Sequence, residues 1–109
     1  IPNFQTLIRR SKEASVRSNL HSVQTSVELF AVAHNGTYPL PADAAELENL
    51  MPGGQYPSNP FTRAVTVVLW NADPPNPGEI GIFNLPGGGY MLKGRGQLAM
   101  LTPFIVAGD

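Results

Sequence analysis

IPNFQTLIRRSKEASVRSNLHSVQTSVELFAVAHN, residues 1–35, reads as one long α-helix. Apolar residues fall at Ile1, Phe4 and Ile8, then at Val16, Leu20, Val23, Val27 and Phe30. The later steps of four, three, four and three residues put them on one face of a helix with about 3.6 residues per turn. Pro2 stands in the first turn, where no internal bond needs its missing N–H. Asn35-Gly36 supplies the stop, because both residues tolerate the left-handed backbone that ends helices. Such a helix spans about 50 Å at about 1.5 Å per residue. The remaining residues build a domain only about 25 Å across. One end of the helix is therefore expected to protrude.

The 109 residues make one domain, divided into the helix (1–35), a connection (36–62) and a sheet (63–109). The apolar fraction of 42% allows a core, and the charged fraction of 14% is low against the typical quarter. Eleven Gly and eleven Pro lie mostly after residue 35 and mark turns between apolar runs. The absence of Cys excludes a disulfide framework and a thiolate metal site. No stretch reaches the roughly 18–20 apolar residues of a membrane-spanning helix. Ile1 begins the chain in the middle of a helical pattern, which leads to the expectation that the helix continues upstream.

Charge is uneven. Residues 1–17 carry Arg9, Arg10, Lys12 and Arg17 against Glu13, a balance of +3. Residues 18–109 carry Arg63, Lys93 and Arg95 against seven acids, a balance of −4. The basic cluster is open to three readings: a solvated flank, a partner for acids on a neighbouring subunit, or a contact with anionic lipid headgroups. Without aromatic stacking residues among them, four basic side chains make no strong nucleic-acid footprint, and no nucleic acid is expected as a partner.

After Pro39 and Pro41, Ala42–Met51 is expected to form a short helix with Leu47, Leu50 and Met51 facing inward. Four strands follow: Ala64–Trp70, Glu79–Leu85, Tyr90–Arg95 and Leu101–Ala107, the last at an edge because of Pro103. Short turns between consecutive strands imply antiparallel pairing. The expected architecture is α+β, a long N-terminal helix packed on a small antiparallel sheet of three to four strands.

The run IPNF (residues 1–4), the basic segment RRSKEASVRSNL (9–20) and VQTSVELFAVAHNGTYP (23–39) resemble the type IV pilin and type II secretion pseudopilin superfamily in order and spacing, as does Asn59-Pro60-Phe61 before the first strand. The resemblance implies an apolar half-helix of about twenty residues upstream, which anchors the subunit in the inner membrane and later packs in a filament core. It implies a structural subunit of a type IV pilus-like filament, a homo-oligomer polymerising through its N-terminal helix and ending at the cell surface. The alternative it admits is a minor pilin, or a pseudopilin acting in the periplasm. The residues placed at the assembly interface are Ile1, Pro2, Phe4, Leu7, Ile8, Arg9, Arg10 and Lys12. Major pseudopilins hold calcium with carboxylates of a C-terminal loop, and many pilins close that region with a disulfide. This chain has only Asp109 as an acid in its last 29 residues, and no Cys.

Catalytic chemistry does not assemble. Pro86–Gly89 lacks the Lys-Ser/Thr of a phosphate loop and reads as a hairpin turn. Glu46 and Glu48 point apart on a helix. His21 and His34 are too far apart to share a ligand site, and His34 suits a helix end, where a cation meets the dipole. No enzyme and no cofactor are expected. The reading from another class is a soluble ligand- or DNA-binding module.

Overall fold

The computed structural model describes residues 3–108, so Ile1, Pro2 and Asp109 lie outside it. Helix α1 (Phe4–Ala33) opens on Asn3, whose side chain accepts from the Thr6 N–H at 3.2 Å and so satisfies one free donor of the first turn. It closes at Asn35 and Gly36, with φ of 58° and 87°. The Gly36 N–H donates to the Ala31 carbonyl at 2.7 Å, a helix-ending bond that the left-handed pair makes available.

A 3-10 turn (Pro41–Asp43) leads into α2 (Ala44–Asn49), shorter than the helix expected over 42–51. Leu47 and Met51 are buried and Leu50 is half-buried against the same core, as their spacing requires. His34 is set by neighbours more specific than the helix dipole. Its ring stacks on Phe30 with centroids 3.9 Å apart, and its Nε2 lies 2.5 Å from Glu46 Oε2, joining the end of α1 to α2.

The sheet has the order β1 (Val68–Trp70), β2 (Ile80–Asn84), β3 (Tyr90–Gly94), β4 (Ile105–Ala107). β2–β3 and β3–β4 are antiparallel, with Ile82 opposite Leu92 and Leu92 opposite Ile105. β1–β2 is parallel, with Val68 opposite Ile80 and Trp70 opposite Ile82. The sheet is therefore mixed, and the wholly antiparallel expectation is corrected.

Two features produce the parallel pair. The connection Asn71–Glu79 is long enough to return past a strand of only three residues. It also lies against β2 at Gly81, where an added Cβ would stand 2.8 Å from the Ala72 carbonyl oxygen and 3.1 Å from Pro74 Cδ. Asp73 in that connection accepts from Lys93 Nζ at 2.9 Å, and the Lys93 ammonium lies over the rings of Phe83 and Phe104. β1 is also shorter than the run 64–70. The Asn59 N–H donates to the Ala64 carbonyl and the Thr66 N–H to that of Pro57, so the backbone of 64–66 is already paired with 57–59.

Buried Asn59 locks this region. Its Oδ1 accepts from the Phe61 N–H at 2.8 Å and its Nδ2 donates to the Pro77 carbonyl at 3.0 Å.

The core lies between α1 and one sheet face. Val16, Leu20, Val23, Val27 and Phe30 meet Ile80, Ile82, Tyr90 and Leu92, all buried. Burial of each large apolar side chain contributes about 1.5–3 kcal/mol. Contact is close at Gly94, where an added Cβ would sit 2.8 Å from Leu20 Cδ1 and 3.0 Å from Val16 Cγ1. A polar tie joins buried Tyr90 to the exposed flank of α1: Tyr90 Oη donates to Glu28 Oε2 at 2.5 Å.

Burial pushes the Tyr90 hydroxyl well above the usual phenol pKa of 10, and its hydrogen bond to Glu28 adds to the rise. Burial, with a smaller contribution from Glu48, pushes Tyr56 up to about 12.

Three measurements check this packing. Val27→Asp places an unpaired charge in the core and is expected to cost about 3–5 kcal/mol, read as loss of the cooperative melt. Gly94→Val forces α1 away from β3 and is expected to cost about 1–3 kcal/mol in urea unfolding. Above pH 10 the unfolded chain loses phenol protons that the folded chain keeps at Tyr56 and Tyr90. Stability is then full below pH 10 and falls above it by up to about 1.4 kcal/mol per pH unit for each tyrosine. A Tm series from pH 8 to 11 should show this slope, and Tyr90→Phe should flatten it.

Candidate assembly interface

Along α1 the first fully buried residue is Val16, so the turns before it run beyond the core. Phe4, Leu7 and Ile8 on these turns are 67%, 51% and 50% exposed, and no described segment folds back over them. Ile1 and Pro2, placed at the same interface by sequence, lie outside the described residues.

The chain grips the helix where it leaves the domain. Glu13 Oε2 accepts from the Gln97 N–H at 3.2 Å. Arg17 Nη1 donates to the Thr102 carbonyl at 2.7 Å, and Asn19 Nδ2 to the Ser58 carbonyl at 3.0 Å. The Lys12 ammonium lies 5.6 Å from the centroid of the Phe61 ring, within cation–π range. The loop 96–102 closes tightly here: a Cβ at Gly96 would meet Glu13 Oε2 at 2.6 Å and Leu101 Cδ2 at 2.7 Å. These contacts form a collar that fixes the angle at which the overhang emerges.

The collar divides the basic run. Lys12 and Arg17 are engaged with their own domain, so the positive charge presented by the overhang is that of exposed Arg10 and half-buried Arg9. Charge counting along the sequence treats the four as one cluster. A signal that separates Lys12 is its place one turn before Val16, near the core-facing stripe.

Sequence reasoning also passed over Leu29 and Val32, which are exposed on the side of α1 opposite the core. Their spacing of three, out of phase with Val27 and Phe30, was the available sign.

Several other chemistry-bearing groups are paired within the fold. Asp73 is paired with Lys93, Glu46 with His34, and Glu79 accepts from the Asn76 N–H and Nδ2 at 3.1 Å each. Among the described residues no three His, Asp or Glu side chains gather where a metal could be held, and no helix is long and apolar enough to cross a membrane. What the arrangement offers is a rigidly held, apolar and basic helix end. No protein-family model, curated protein or solved structure matches this chain.

Proposed function

We propose that this chain is a structural subunit of a type IV pilus-like filament and that it assembles through α1. The observation that carries the reading is the overhang: Phe4, Leu7 and Ile8 exposed on a helix end that the collar holds at a fixed angle. An apolar patch on a rigid projection is a contact without a partner. The resemblance of residues 1–39 to pilins and pseudopilins names a partner, other pilin-like subunits.

In this reading an apolar segment upstream of residue 1 anchors the subunit in the inner membrane and then enters the filament core. Phe4, Leu7 and Ile8 form the outer margin of that core, together with Ile1 and Pro2. Arg9 and Arg10 lie near lipid headgroups before assembly and near acids of neighbouring subunits after it. The contact is head-to-tail and does not close, so it propagates as an open helix. The work of the protein is packing. No cofactor, catalytic group or nucleic acid has a part in it.

The test is Arg9→Glu with Arg10→Glu in the protein expressed in its own cell. Both residues lie outside the core, so Tm is expected to stay within the change produced by about 0.5 kcal/mol. Surface filaments seen by electron microscopy are expected to be lost or sparse. Normal filaments with a normal Tm would overturn the assignment. The share of this chain in sheared filaments separates a major pilin, which dominates them, from a minor pilin or a pseudopilin.

A further inference from the structure

Opposite its core-facing stripe, α1 carries a second stripe that the domain leaves uncovered. Phe4 and Leu7 mark one end; Leu29 and Val32, 49% and 82% exposed, mark the other. Between them lie Ser11, Ala14, Ser18, Ser22 and Thr25, of which only Ser22 is partly covered. No charged residue stands on this stripe, although α1 holds six elsewhere on its surface. A helix face that serves only water is polar and charged. This one is uncharged from Phe4 to Val32, about 42 Å of axis.

The spacing of the stripe has a symmetry. Its steps are 3, 4, 3, 4, 4, 3, 4 and 3, the same from either end. A second α1 turned end over end about Ser18 therefore sets Phe4 against Val32 and Leu7 against Leu29, at both ends of the pair. Ser and Ala in the middle let the axes approach at the near end of the usual 8–10 Å range.

Charge fits the same orientation at Arg10 and Glu28, while Arg17 on that flank meets its own copy and is drawn to the Thr102 carbonyl of its own domain. Arg10 and Glu28 are eighteen residues, or about five turns, apart and so lie on one flank of the stripe. In an antiparallel pair each flank meets its own copy, which brings Arg10 within about 3 Å of axial rise of the other copy's Glu28. The Arg10 side chain is exposed and makes no hydrogen bond or ion pair among the described residues. Glu28 Oε2 already takes the Tyr90 hydroxyl, but a carboxylate accepts up to about four hydrogen bonds. A parallel in-register pair instead sets each flank against the opposite one, where Ile8 and Ser15 offer Arg10 no acid.

We propose that a second copy of this chain docks antiparallel along the outer face of α1 and forms a closed two-fold dimer. The inference stands on the stripe and its flank and needs no filament. It bears on one nonetheless. The dimer covers Phe4 and Leu7, so a chain held in it is withheld from assembly through those residues. A strip about 42 Å long and about 10 Å wide covers on the order of 400 Å² per copy, half a standard interface. The dimer is therefore weak, and cross-linking reads it better than elution volume.

The chain has no Cys, so single introduced thiols report cleanly. Leu7→Cys and Leu29→Cys both change exposed residues and leave the core intact. With a short bifunctional thiol reagent, a mixture of the two variants is expected to give a covalent dimer, and neither alone is expected to give one. The double variant should stop at dimer. Adding Arg10→Glu should slow cross-linking severalfold, and Glu28→Lys alongside it should restore the rate.

Cross-linking of Leu7→Cys alone would mean a parallel pair. A ladder of higher oligomers from the double variant would mean an open, staggered contact. No product from the mixture would mean no such contact. Each overturns the antiparallel dimer. None of them touches the filament reading, which stands or falls on the arginine reversal in cells.

Discussion

The approach of α1 to β3 at Gly94 governs the rest of the structure. With no side chain at this position, Leu20 and Val16 come directly against the strand. That contact fixes the depth of the helix on the sheet, and so which residues of α1 are core. It also fixes where the helix leaves the domain. From Val16 onward the stripe is buried; before it the chain has only the collar of loops 96–102 and 58–61 to hold it.

The polar contacts reinforce this placement. Tyr90 and Glu28 cross the layer between sheet and helix, His34 and Glu46 tie the end of α1 to α2, and Arg17 and Glu13 clasp the other end. The Tyr90 hydroxyl donating to a carboxylate is a charge-assisted hydrogen bond, stronger than one between neutral groups. The helix is thus held along its length by packing and near both ends by contacts of its own side chains to three separate parts of the chain.

Most of the architecture was legible in the sequence because it rests on periodicity and turn chemistry. The core stripe from Val16 to Phe30, the stop at Asn35-Gly36, the inward set Leu47, Leu50 and Met51, and the hairpin at Pro86–Gly89 follow from local spacing. The direction of β1 did not. It depends on Gly81 accepting the connection across its face, and nothing near Gly81 in sequence announces that contact. The extent of β1 was misjudged for a related reason: a run of Val and Thr reads as a strand, whichever segment its backbone pairs with. At the candidate interface, the exposed apolar residues of the overhang were evident from the pattern. The division of the basic run was not, because the partners of Lys12 and Arg17 lie at Phe61 and Thr102, far along the chain.

The crossover that makes the sheet mixed also determines what stands at its margins. β1 and β4 are the two outer strands, and each is three residues long. A free strand edge is a template on which other chains can stack, and short edges offer few consecutive backbone groups to such stacking. Copies of this chain at high local concentration are thus steered away from cross-β aggregation by the shortness of their own edges.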